Sequence, residues 1–489
     1  MVSYLIVALV ASILLYSIVG WSERRAATQP HGYFQAGRNI GSTELSGTYI
    51  ATSLALANAI FYFLWLGHTA GLVGLWIQLA WCLGFVVLWY FLPKMLVESG
   101  KDTLHGYLGS RFGTTTALLA AIVSFLGIGM NFGYEVIVGS TLAFSAWPES
   151  VGAVAVVATV VTLLIIVYCA VGGFVAVIRT DTFQWIFGSL ALVVALVIIR
   201  SKIADTPGGL GAFYEANKSH FSLFSKTGIL ALGGAVALLS NIAFSLPWQV
   251  CDVTSWQKVS ACDPKFLGQL RIGVLLTGLY LFFIPGLITL LLGIYLRHFD
   301  PAGRSLLGSL VNATKDSPLF TIFILFGFLA AMISTADTFL IGATQTLVLD
   351  LLKRRRVRSH STNYLAVDAS HVRLAKLSLL PVAATFSLFA WLYWSAHEYN
   401  SDGLFTIVYI VYSMQLSLTW VVIFSLFSQR SAFPSLAGLL SIGMGVSANI
   451  IAYYFFSVDA MPIACVLASF SGFAIGYFAS SKGLEERNG

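Results

Sequence analysis

The sequence predicts an all-α polytopic membrane protein with about thirteen transmembrane helices, and three observations predict it. Hydrophobic residues fill 58% of the 489 positions and charged residues only 10%. Mean hydropathy is +0.85, and a soluble fold of this length has no interior able to hide that much apolar surface. Apolar runs long enough to cross ~30 Å of hydrocarbon recur along the whole chain, with the basic residues gathered between them.

The runs fall at 3–20, 44–66, 72–97, 115–146, 150–172, 181–199, 227–250, 269–296, 318–350, 372–396, 403–427, 433–455 and 460–481. The first starts at Met1 without a basic leader or a small-residue cleavage site and is followed by Arg24 and Arg25. It reads as a retained helix rather than a signal peptide. The ninth run is long enough that it must tilt or protrude. Placing the N-terminus outside puts 20 of the 27 Lys and Arg residues on the inner side and seven on the outer. That asymmetry predicts an N-out, C-in protein of the cell membrane. Lys353-Arg354-Arg355-Arg356-Val357-Arg358 is then a cytoplasmic anchor against anionic headgroups.

No stretch between runs has room for a nucleotide-binding or kinase module, and the Gly-Gly pairs lack the strand and helix of a phosphate loop. The basic residues are dispersed in short loops, which excludes nucleic acid as a partner. The five cysteines are scattered without a CxxC: Cys82, Cys169 and Cys465 in runs, Cys251 and Cys262 in a loop. They form neither a disulfide framework nor a metal cluster. No nucleophile is paired with a base, so an enzyme is not expected. The lipid bilayer and a small solute are the partners left, with no obligatory protein partner, and the energy source is an ion gradient.

Two charges stand deep inside the runs. Asp337 lies in Ala330-Ala331-Met332-Ile333-Ser334-Thr335-Ala336-Asp337-Thr338. On a helix Ser334, Asp337 and Thr338 share one face. An aspartate at mid-bilayer costs roughly 2.5–3.5 kcal/mol, so it is expected to meet a partner or water. Hydroxyls beside a carboxylate suit a light cation, and the competing reading is a seam of small residues between packed helices. The second deep charge is Glu135, with Asn131 one turn earlier. It is read either as a ligand for an ammonium-bearing solute or a proton, or as a bond inside the bundle. No Arg or Lys is placed deep in any run, which argues against a simple anionic solute.

Several segments resemble the sodium:solute symporter family: Tyr33-Phe34-Gln35-Ala36-Gly37-Arg38-Asn39-Ile40-Gly41, Thr103 to Gly113, and Gly172-Gly173 through Thr180-Asp181-Thr182-Phe183-Gln184. So do Asn241 through Trp256-Gln257-Lys258, and the 330–338 run. Their order and spacing make the resemblance strong. It implies a LeuT-type 5+5 inverted repeat with two broken helices at mid-membrane. Residues 44–200 and 227–428 would form the repeats and 201–226 an extracellular loop. The stretch 1–43 would be a peripheral helix with a cytoplasmic linker, and 429–489 two peripheral helices and a tail. The breaks are expected near Asn58 in the first repeat and near Asn241 and Pro247 in the second.

The resemblance further implies Na⁺ as the coupling ion. Its first site would take the carbonyls of Ala57, Ile60 and Ala331 with the side chains of Ser334 and Thr335. A second would combine Asp181, Ser334, Asp337 and Thr338, with Asp181 alternatively an N-cap. Asn58, Tyr62, Asn131, Glu135, Asn241, Ser245, Trp248, Tyr412 and Gln415 are the candidates for the substrate cavity, and the aromatic ones serve equally as packing. The expected function is Na⁺-coupled import of a small polar organic solute by alternating access. The alternatives are an H⁺-coupled transporter of the same fold and a non-transporting sensor.

Overall fold

The computed structural model describes residues 1–147, 150–303, 305–352, 367–397 and 401–488. The basic run 353–358 lies outside the described residues. Among those described, the chain is helical throughout, with one isolated backbone bridge, Ile40 to Cys262.

The spanning elements follow the apolar runs. They are α1 (Val2–Ser22), the bent pair α2 (Ser42–Ser53) and α3 (Leu56–Thr69), α4 (Gly71–Lys101), α5 (Thr114–Ser145) and α6 (Val151–Ala204). Next come α7 (Gly234–Cys251) and α8 (Val253–Ser260). The remainder are α9 (Pro264–Leu296), α10 (Pro318–Leu352), α11 (Ala369–Ala396), α12 (Leu404–Phe427), α13 (Ser435–Phe455) and α14 (Val458–Ser480).

By length and apolarity, 11 of these helices can cross a membrane, or 12 with the α2–α3 pair taken as one span. The 54-residue α6 would extend about 80 Å if straight, far beyond one bilayer. It turns instead at Gly173, whose φ of 59° and ψ of −161° are not helical. A Cβ there would lie 2.7 Å from the Tyr33 ring, so glycine satisfies both the backbone and the contact. A total of thirteen requires α6 to be two crossings meeting at this turn. The helix after the turn runs on through Thr180 and Asp181, so Asp181 is not an N-cap.

α10 is the centre of the bundle: 72% of its apolar window is buried, against 22% for α1. It packs on α6, α5, α11, α1 and α2, while α13 and α14 pair chiefly with each other. Close helix contact uses glycine where α3 crosses α9. A Cβ on Gly67 would sit 2.2 Å from the Leu290 carbonyl, and one on Gly293 would sit 2.2 Å from that of Leu64, the small-residue approach of membrane helices.

Both broken helices are present, and each break differs from its expected place. The first lies at Leu54 and Ala55, whose ψ values of 10° and 131° leave the helix. That is N-terminal to Asn58 and is made without Gly or Pro. The second lies at Asp252, with φ −75° and ψ 131°. Pro247 stays inside α7, and Asn241 merely bonds the Ala237 carbonyl at 2.9 Å. Asp252 caps the new helix by accepting from the Ser255 N–H at 2.9 Å and from the Thr254 hydroxyl.

Candidate ion and solute site

The two breaks and the middle of α10 meet around a cavity of about 490 Å³. Leaving a helix at Leu54 strands backbone groups on both sides, and two neighbours receive them. The Glu135 carboxylate, fully buried on α5, accepts from Ala57 N–H at 3.0 Å, Asn58 N–H at 3.2 Å and the Asn58 amide at 2.9 Å. It is an anionic cap on the N-terminus of α3. On the other side, the Thr335 hydroxyl donates to the Thr52 carbonyl at 3.1 Å and is 3.3 Å from its own helix's Ala331 carbonyl. The broken helix is thereby tied to α10 at one of the residues singled out from the sequence.

Around that tie lies a group of buried oxygens. Ser334, Asp337, Thr338 and Asp181 are all fully buried. Asp181 Oδ2 accepts from the Thr48 hydroxyl at 2.5 Å, and the carboxylate faces Ser334. Its other oxygen, the Ser334 hydroxyl and both Asp337 oxygens have no hydrogen-bond partner. The Thr338 hydroxyl lies 3.4 Å from that of Thr52. Buried polar groups are nearly always paired, and carboxylate oxygens left unpaired in apolar surroundings, both on Asp337 and one on Asp181, are costly. A hard cation among these oxygens removes the deficit, and a donor set of hydroxyls, carboxylates and carbonyls is the kind an alkali ion takes.

Thr52 is the helix-2-side partner that the sequence reading missed. Ala57 and Ile60 lie beyond the break on α3, where the Ala57 N–H goes to Glu135. The signal was present, since Thr48 and Thr52 share one face of a predicted helix at i, i+4.

Lys258 is the clearest correction. Counted among inner-surface residues, it is 2% exposed and lines the cavity. Its ammonium donates to the Thr52 hydroxyl at 2.8 Å. The expectation of no deep cation fails because α8 continues beyond the apolar run and carries the lysine to Thr52, beside the break between α2 and α3. Asp252 is buried beside it. Cys251 and Cys262, placed in a loop by sequence, are buried like the other three free cysteines.

Among the cavity candidates, Asn58, Tyr62, Asn241, Ser245, Trp248 and Tyr412 line the space, whereas Asn131, Glu135 and Gln415 do not. Asn131 donates to the Gly127 carbonyl at 3.1 Å, and Gln415 packs against Gly127. The wall is more aromatic than expected. Trp248 stacks on Phe244 with centroids 4.7 Å apart and meets Tyr412 at 4.3 Å, and Tyr409 lies 5.9 Å from Phe244.

The cavity reaches residues 230–233 and 458–459 at one end of the bundle. The other end is sealed. Trp256 donates its indole N–H to the Asp102 carbonyl at 3.1 Å, Gln35 bridges the Ser99 and Gly100 carbonyls at 3.3 Å, and Tyr107 bonds the Ser425 carbonyl at 2.9 Å.

A profile of the sodium:solute symporter family matches residues 33–440. The chain is 24% identical over 470 residues to the high-affinity proline transporter PutP of Bacillus subtilis (strain 168), which covers 86% of this chain and 87% of PutP. Its fold matches the substrate-bound outward-open state of a Na⁺-coupled sialic acid symporter with a TM-score of 0.78, at 17% identity, over 98% of this chain and 97% of the other. It matches Mhp1, a nucleobase-cation-symport-1 family transporter in a closed conformation with bromovinylhydantoin bound, with a TM-score of 0.57. That identity is 14%, over 93% of this chain and 94% of Mhp1. At such identities the structural likeness carries the fold, and that fold is the LeuT type.

Proposed function

Because this chain belongs to the sodium:solute symporter family, whose members are membrane transporters rather than enzymes, we propose that it imports a small polar organic solute with Na⁺ by alternating access. The observation that carries the reading is the set of unpartnered buried oxygens on Ser334, Asp337 and Asp181 beside the first helix break. In this reading one Na⁺ is held by Ser334, Thr335 and the Ala331 carbonyl together with backbone oxygens at the α2 break. A second is held by Asp181, Ser334, Asp337 and Thr338. Residues 44–200 and 227–428 act as the two repeats, oriented N-out and C-in in the cell membrane. The cavity then faces outward, because its reachable end carries the loops that this orientation puts outside.

Sodium that bridges α2 to α10 stabilises the arrangement in which the solute chamber exists. Coupling follows because the ion binds that state more tightly than the one with the inner seal open. The solute is expected to be neutral or zwitterionic. Lys258 already faces two carboxylates, so it offers no free positive charge to an anion. The aromatic wall favours an apolar body, a size and chemistry that an amino acid such as the proline in the relative's name would meet. A cavity of about 490 Å³ falls in the ~300–1,000 Å³ range of small-molecule sites.

The test needs no knowledge of the solute. Thermal unfolding of the detergent-purified chain is followed in NaCl, KCl and choline chloride at equal ionic strength. Sodium at 100 times its dissociation constant stabilises by about 2.7 kcal/mol. Equal midpoints in the three salts across a wide concentration range would remove sodium from the mechanism.

A further inference from the structure

Sodium coupling does not by itself call for an ammonium group at the chamber floor. α8 inserts Lys258, 2% exposed, against the break of the other repeat. Its Nζ lies 2.8 Å from the Thr52 hydroxyl and 4.9 Å from the centroid of the Tyr49 ring. It faces two carboxylates on different helices, Asp181 of α6 and Asp252 at the head of α8. Thr52 is also the residue whose carbonyl accepts from Thr335 and whose hydroxyl stands 3.4 Å from that of Thr338. The ammonium is therefore within about 6 Å of the Thr338 hydroxyl on α10, and at such a separation one unit charge acts strongly on another.

We propose that Lys258 is a tethered cation that competes with Na⁺ for Asp181. Without the ion, the ammonium compensates Asp181 across the helix break, so the carrier does not have to rearrange with that carboxylate bare in a low-dielectric core. When Na⁺ enters between Asp181 and the Ser334, Asp337 and Thr338 oxygens, the ammonium is repelled and its charge is taken up by Asp252. Two carboxylates flanking one lysine make the exchange a side-chain movement rather than a repacking of helices. Loading and release of Na⁺ are thereby linked to the junction of the two broken helices, since Lys258 and Asp252 belong to one and Thr52 to the other.

This inference rests on the sodium reading above, and its test separates the two. The half-saturating Na⁺ concentration for thermal stabilisation is measured on the full-length purified chain and on Lys258→Met, Lys258→Arg and Asp252→Asn. Two unit charges ~6 Å apart at an effective dielectric of ~20 repel by a factor on the order of 100 in binding. With Asp252 partly neutralising the lysine, Lys258→Met should lower the half-saturating concentration tenfold or more. Lys258→Arg keeps the charge and should stay near the parent value. Asp252→Asn keeps the helix cap but leaves the ammonium with Asp181 alone, so it should raise the value several-fold. An unchanged or higher value in Lys258→Met overturns the proposal. If that variant does not fold, Asp252→Asn decides: an unchanged or lower value there overturns it equally. A parent chain without any sodium-specific response overturns the sodium reading itself, whereas a responding parent with an unshifted Lys258→Met removes only the tethered cation.

Discussion

Glu135→Gln is the sharpest probe of how the first helix break is held. The carboxylate accepts three hydrogen bonds at 2.9–3.2 Å, two from backbone N–H groups and one from the Asn58 amide. Glutamine preserves the shape and one acceptor oxygen, which turned toward Asn58 keeps both Asn58 bonds. Its NH₂ then faces the Ala57 N–H, which loses its acceptor. Each buried donor left unsatisfied costs about 1–3 kcal/mol, and loss of the anion at a helix N-terminus adds to that. The expected destabilisation is about 2–5 kcal/mol. The assay is thermal unfolding in detergent with and without Na⁺, alongside solute uptake in proteoliposomes once a solute is found. The midpoint should fall by several degrees in both salts, and uptake should fall for every solute carried. A variant of unchanged stability with an altered solute profile would refute the reasoning, because it would place Glu135 against the solute instead of the backbone.

Three further outcomes are expected. Ser334→Ala and Thr335→Ala should each remove most of the sodium-specific stabilisation, Ser334→Ala with the midpoint in KCl nearly unchanged and Thr335→Ala with a lower one, because the Thr52 carbonyl loses its donor, checked by the same salt series; full retention of the sodium effect in both would relocate the ion. Trp248→Ala, which removes the ring packed at 4.7 Å on Phe244 and 4.3 Å on Tyr412, should raise the KM for solute at least tenfold with little change in sodium affinity, measured by uptake at saturating Na⁺. Burial, reinforced by Asp350 and opposed by the Thr103 N–H, pushes Asp102 at the sealed end up to about 7. The native state then holds a proton that the unfolded chain has released above its ordinary value. That contribution is complete at low pH and is lost as pH rises through 7. Stability should therefore decline between about pH 4 and 7 and level off above that, and Asp102→Asn should flatten the decline; equal slopes in parent and variant would contradict it.

The sealed end also shows how spacing alone misses a network. His105 bonds Asp350 at 2.7 Å and Ser124 at 3.0 Å, and Thr103 bonds Asp350 at 2.6 Å. Asp350 is nearly 250 positions away in sequence, and it reaches them only because α10 is long enough to carry it to the far end of its apolar run.

Apolar runs, charge asymmetry and short linkers determined the all-helical membrane class, because a bilayer admits few ways to satisfy a backbone. The motifs on α10 were legible for the same reason: a carboxylate flanked by hydroxyls in a hydrocarbon-length helix is costly wherever it faces, so its position marks a site. The tertiary structure decided the breaks. No residue between Thr48 and Leu66 forbids a helix, and Leu54 leaves it because Glu135 and Thr335, both distant in sequence, receive the freed N–H and C=O groups. It likewise decided Lys258, which looks like a surface lysine until α8 is seen to carry it to Thr52, and Asp181, which looks like a cap until the turn is found at Gly173. In each case the local chain permits more than one conformation, and the choice belongs to partners that only folding brings within hydrogen-bond reach.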